Sequence, residues 1–154
     1  MRQGDIDMSA QAFSAGDQAY AGPDGGPFEW VRRGLELLER GDASAAAVLL
    51  ERAATHVPDS SSVHEALSRA YYDAGRFEQA VAGFGRLLEL TPTSDYGHFG
   101  LGLALTRLNR FEQATEHLAI AAAMRPDRDE YVDRLRQARA TLAARRAARD
   151  VTPT

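Results

Sequence analysis

The chain of 154 residues contains no cysteine. Disulfides, thiolate metal ligands and a cysteine nucleophile are therefore excluded. It contains no lysine either: all 18 basic residues are arginine. That removes a Schiff-base lysine and the lysine of a phosphate-binding loop. No window approaches the 18 or more apolar residues that a membrane-spanning helix needs. The first ten residues, MRQGDIDMSA, carry early acids and no apolar core, so a signal peptide is not expected. There is no Gly-x-Ser-x-Gly elbow, no His-Glu-x-x-His pair and no paired-carboxylate motif. Gly100-Leu101-Gly102 lacks a preceding strand, and Leu105 stands where a dinucleotide fingerprint needs its third glycine. The expectation is a non-enzymatic, cytoplasmic protein without cofactor or metal.

Charge is unevenly spread. Residues 1–26 hold one Arg against four Asp, residues 27–133 hold 11 Arg against 17 acids, and residues 134–154 hold six Arg against Asp150. An acidic body argues against nucleic acid as the main ligand, because phosphate neutralisation needs a basic face. Residues 1–26 also hold five of the 13 glycines and show no apolar periodicity. They are expected to form a tail without fixed structure; the sharper alternative is that Phe13 and Tyr20 dock as a short linear motif.

What is present is a period. The stretch SSVHEALSRAYYDAGRFEQAVAGFGRLLELTPTS (61–94) holds two amphipathic segments, and the same layout returns 34 residues away on either side. Ala46, Ala80 and Ala114 are in register, as are Leu50, Phe84 and Leu118, and Pro58, Pro92 and Pro126. A fixed period of this size marks a stacked-repeat architecture. The first unit predicts helices over 28–40 and 43–56, with Gly41 as the stop and Asp42 as the N-cap. The second predicts 61–74 and 77–90, and the third 96–108 and 111–124. Gly34, Ser68 and Gly102 recur in the first helices, and the three alanines in the second, where paired helices approach closely. A last helix, from residue 129 to about 150, carries the stripe Tyr131, Leu135, Ala138 and Leu142. Arg136 and Arg139 take the positions that would face a next helix, the logic of a solvating cap.

The pattern resembles the tetratricopeptide repeat, W-x2-L-G-x2-Y…A-x3-F…P. The second repeat matches with His64, Leu67, Ser68, Tyr71, Ala80, Phe84 and Pro92. The third matches with His98, Leu101, Gly102, Leu105, Ala114, Leu118 and Pro126, and the first with Trp30, Gly34, Leu37, Ala46, Leu50 and Pro58. Arg33 departs from the pattern at a Leu position. The resemblance implies an all-α, right-handed α-solenoid of antiparallel helix pairs. Its expected organisation is a tail at 1–26, repeats at 27–60, 61–94 and 95–128, a cap helix at 129–150 and a terminal tail at 151–154.

The resemblance also implies a function: an adaptor that binds a helical or extended segment of a partner protein on the inner face of the first helices. Carried over by repeat position, that face holds Phe28, Val31, Leu35, Leu38 and Glu39. It continues with Ser62, Glu65, Arg69, Tyr72 and Asp73, then Tyr96, Phe99, Leu103, Thr106 and Arg107. Of these, Phe28, Val31, Leu35, Leu38, Glu65, Arg69, Tyr72, Tyr96, Phe99, Leu103 and Arg107 are the expected partner-binding residues; the alternative is that the cap helix or the N-terminal tail folds back and covers these positions. Some members of the family grip the C-terminal carboxylate of heat-shock chaperones with Lys, Asn and Arg. Here Val31, Leu35, Glu65, Arg69, Phe99 and Leu103 occupy the Lys and Asn positions, so that clamp is not expected. Two other readings stand beside the adaptor: self-association into a homo-oligomer, and RNA or anionic-membrane binding through the arginine-rich last helix. His64 and His98 share a repeat position without three converging ligands and read as ring-sized fillers between repeats. His56 and His117 read as unconnected.

Overall fold

Turn residues decide where each helix stops. Gly41 and Gly75 adopt left-handed backbone at φ 82° and 77°, and Asn109, in the same register, does so at φ 61°. Asparagine is one of the few side chains that tolerates this region, so the period survives the loss of the third glycine. In a computed structural model that describes residues 25–151, these three turns join helix pairs. The helices are α1 (Pro27–Glu39), α2 (Ala43–His56), α3 (Ser61–Asp73), α4 (Phe77–Leu90), α5 (Asp95–Arg107), α6 (Phe111–Met124) and α7 (Asp129–Val151). The expected bounds of α2, α4 and α6 are met, and those of α1, α3 and α5 shift by one residue. The tail expected over 1–26, with Phe13 and Tyr20, lies outside the described residues except for Gly25 and Gly26.

Caps fix the starts. Asp42 accepts a hydrogen bond from the Ala45 amide, Ser60 from Val63 and Ser94 from Gly97. Each satisfies one of the orphan N–H groups that open a helix. The chain divides into two compact units at Thr93 and Ser94.

In the first unit α1 packs on α2, α2 on α3 and α3 on α4. Its core gathers Trp30, Val31, Leu38, Ala46, Leu50, Val63, Ala66 and Leu67. A Cβ placed on Gly34 would lie 2.8 Å from Leu50 Cγ, so the Leu50 side chain fills the space that glycine leaves. Arg33 is exposed and its Nε sits 3.3 Å from Glu29, so it contributes an ion pair where the repeat pattern has a packed leucine. Ala80 is fully buried and Ala82, on the same helix, is exposed. Ala80→Leu is expected to lower stability by about 1–3 kcal/mol through overpacking, whereas Ala82→Leu should be near neutral. Urea unfolding of the two variants measures the difference; equal tolerance would show that the register is wrong.

In the second unit α5 packs on α6, and α7 packs chiefly on α6. Tyr131, Leu135 and Ala138 are the buried stripe of α7, and Arg136 and Arg139 face outward. From Ala143 to Val151 every residue is exposed. Among the described residues no helix is long and apolar enough to cross a membrane.

Candidate functional site

The site expected on the first helices is best defined in the first unit. Val31 and Leu38 of α1 are inside the core, at 2% and 6% exposure. Phe28 and Leu35, one helical turn away from each, pack against that core but stay partly accessible. Glu65, Arg69 and Tyr72 of α3 are also half-buried. Tyr72 meets Phe77 edge-on, with ring centroids 5.4 Å apart. The Arg69 side chain is only 12% exposed, and its Nε lies 3.7 Å from Asp73 Oδ2, too long for a hydrogen bond. That Nε is buried and donates to no acceptor among the described residues. Burial pushes the Asp73 carboxyl above its ordinary value, and the Arg69 charge opposes the shift. The face is thus aromatic and aliphatic, with one cation held tightly against it.

In the second unit the expected site is corrected. Tyr96, Phe99 and Leu103 are at 5%, 1% and 4% exposure and belong to the core, not to an open face. For Phe99 the reason is α7: the Tyr131 ring stacks on it with centroids 4.3 Å apart. The Tyr131 hydroxyl donates to Asp95 Oδ2 at 2.8 Å, which fixes the ring over α5. Arg107 is exposed. The signal was available as the apolar stripe of α7, but spacing alone does not say which helix a stripe will cover.

Two further contacts join helices through polar side chains. Tyr71 donates to Glu51 Oε1 at 2.7 Å across α2 and α3. Arg76 places its guanidinium 4.9 Å over the Tyr71 ring and 3.6 Å from Glu51. Burial, then the Glu51 hydrogen bond and charge, push the Tyr71 hydroxyl from 10.0 up to about 12. A raised folded-state value favours the protonated form, so this contribution to stability is complete below pH 10 and is lost as pH rises through 12. Ultraviolet titration of tyrosinate should include a late component from Tyr71. It should disappear in Tyr71→Phe and move down in Glu51→Gln; a spectrum unchanged by Tyr71→Phe would refute the assignment.

The second contact joins His98 and His117, which stack with their Nδ1 atoms 3.2 Å apart. Burial, and then the His98 charge, hold His117 below its ordinary value. The reading of His117 as unconnected is therefore corrected. So is that of His56, whose ring meets Trp30 edge-on at 4.9 Å. His64 Nε2 instead contacts the Pro58 carbonyl at 2.7 Å. Among the described residues no three of His, Asp and Glu gather as a metal-ligand set.

A family model described as "Tetratricopeptide repeat" matches residues 37–98. The superkiller complex protein 3 of Mus musculus is 31% identical over 98 residues, 64% of this chain and 6% of that protein. The chain therefore spans a small part of the curated relatives that it matches. Among solved structures, the first tetratricopeptide-repeat domain of Spaghetti (RPAP3), bound to the HSP90 peptide SRMEEVD, aligns with TM-score 0.73 and 17% identity, covering 76% of this chain and 93% of that one. The corresponding domain of Sgt2 from Aspergillus fumigatus aligns with TM-score 0.72 and 18% identity, covering 86% and 87%. At these identities the likeness is one of fold: stacked helix pairs of an α-solenoid.

Proposed function

The chain belongs to the tetratricopeptide repeat family, and from that premise we propose that it is a protein-interaction adaptor whose α1–α3 face receives a helical or extended segment of a partner. One observation supports this most. Phe28, Leu35 and Tyr72 remain partly accessible beside Arg69, on helices whose neighbouring positions Val31 and Leu38 already complete the core. Partly accessible aromatic and aliphatic side chains next to an arginine are what interface hot spots are made of. The fitting ligand carries apolar anchors at helical spacing and an acid to meet Arg69. A face of this size suits modest affinity, about −8 kcal/mol or micromolar.

The HSP90 peptide bound by the Spaghetti domain illustrates the mode rather than the ligand. Val31, Leu35, Glu65 and Arg69 do not supply the Lys and Asn of a carboxylate clamp. The repeat domain proposed is 27–150, and a cytoplasmic setting belongs to the same proposal. Affinity capture with wild type, Leu35→Glu and Tyr72→Glu tests it. Both charges are expected to abolish capture of partners while helicity by circular dichroism is kept. Capture undiminished in both variants would overturn the reading; light scattering on the same samples reports whether the retained partner is a second copy of the chain.

A further inference from the structure

The arginines of the last helix are not all equivalent. In the second unit, the turn between α5 and α6 and the outer half of α7 border an open pocket of about 450 Å3. That is within the range of small-ligand sites, about 300–1,000 Å3. Its apolar surface is Phe111 and Leu142, and its charged lining is Arg110, Arg145 and Arg149 against the single carboxylate of Glu112. Glu112 in turn lies 3.5 Å from Arg146. Arg145 is held in place: its guanidinium sits 4.5 Å over the Phe111 ring, and its Nη2 donates to Asn109 Oδ1 at 3.4 Å. A guanidinium fixed before a ligand arrives loses less rotamer freedom when it binds.

One repeat earlier the same sequence, Arg-Phe-Glu-Gln-Ala, follows Gly75. There Arg76 is engaged with Tyr71 and Glu51, and Phe77 with Tyr72. At Asn109 the arginine-bearing α7 passes beside the turn and makes a pocket of it.

We propose that this pocket binds a short acidic segment of a partner protein, with one or more carboxylates on the arginines and an apolar side chain against Phe111 and Leu142. A nucleic acid fits less well. A phosphate chain needs an extended basic track, but residues 94–151 hold eight acids against ten arginines. Several of those arginines are spent on neighbours, Arg125 on Asp127 and Arg136 on Asp133. The pocket also presents the apolar surface of Phe111 and Leu142, which a phosphate chain would leave unused. Anionic headgroups would use the charge and leave the Phe111 surface without a partner.

Fluorescence polarisation on the full chain tests the site. The probe is a labelled peptide alternating Asp or Glu with Leu or Phe; comparisons are its lysine-for-acid counterpart, poly(U) and phosphatidylserine vesicles. The acidic peptide is expected to bind, and Arg145→Glu to weaken it by at least about tenfold, or 1.4 kcal/mol. Arg145→Gln should weaken it in the same direction without reversing a charge, which keeps the test decisive if the reversal disturbs α7. Arg136→Glu changes net charge equally on an outward-facing part of α7 and should leave binding within about twofold, the scale of a screened surface charge. Absence of acidic-peptide binding, an equal loss in Arg136→Glu, or preference for poly(U) or vesicles would each overturn the proposal.

Discussion

Phe99→Glu is expected to unfold the second unit. Phe99 is 1% exposed and stacked on Tyr131, which is itself 1% exposed. Truncating a buried phenylalanine to alanine costs about 3–5 kcal/mol. A carboxylate in the same place adds the cost of burying a charge with no partner. Domain stabilities are only about 5–15 kcal/mol in total, so the variant should lose most of the α5–α7 helicity. Circular dichroism and urea denaturation report this directly. Tyr131→Phe is the companion measurement: it keeps the ring stack and removes only the hydroxyl bond to Asp95, so about 1 kcal/mol should be lost. A Phe99→Glu protein that melts like wild type would mean that Phe99 is not a core residue and that the open-face expectation deserves restoring.

That pair also shows where sequence reasoning reached and where it stopped. The 34-residue period placed Ala46, Ala80 and Ala114 at helix contacts, and all three are fully buried. Periodicity reads well because every repeat solves the same packing problem, and a close approach admits few side chains. Cover by the cap helix was the alternative to an open face, but that it would land on Phe99 was not legible, because that helix lies outside the repeat. The i, i+4 and i+7 spacing of Tyr131, Leu135 and Ala138 says that α7 has a buried side, not that its first aromatic lands on α5. Repeat positions carried over from a family describe a helix with the family's neighbours. At Phe99 and Leu103 the neighbour is the cap, and positions that read as an inner face become core. The first unit shows the complementary limit, since Phe28 and Leu35 stayed accessible while Val31 and Leu38, on the same implied face, did not. The Tyr71–Glu51 bond spans 20 residues and the His98–His117 contact 19. Neither repeats in the other units, so a period could not reveal them.

Gly102→Leu should be as damaging as Phe99→Glu, for the opposite reason. A Cβ at residue 102 would stand 2.6 Å from Leu118 Cγ, 2.8 Å from Leu118 Cδ2 and 3.3 Å from the Ala114 carbonyl oxygen. Leu118 is 1% exposed and Ala114 fully buried, so neither has room to retreat. Gly102→Ala brings a helix-propensity gain of about 1 kcal/mol, but a methyl group forced into this contact costs about 1–3 kcal/mol. The net effect of alanine is therefore destabilising, and leucine adds three more carbons to the same collision. Gly85 is the control. It lies in α4, and an added Cβ would meet nothing within 4 Å. Gly85→Ala should keep the propensity gain and raise stability by about 0.5–1 kcal/mol. The expected order of melting temperature is Gly85→Ala, wild type, Gly102→Ala, Gly102→Leu. The cause can be isolated by combining Gly102→Ala with Leu118→Ala, which removes the atoms that collide. The double variant should be less destabilised than the sum of the two singles, with a coupling of about 0.5–3 kcal/mol. Strict additivity, or a Gly102→Ala protein that gains stability as Gly85→Ala does, would show that α5 and α6 do not meet at the Gly102–Leu118 contact, and with it would go the role of small residues in setting the spacing of that helix pair.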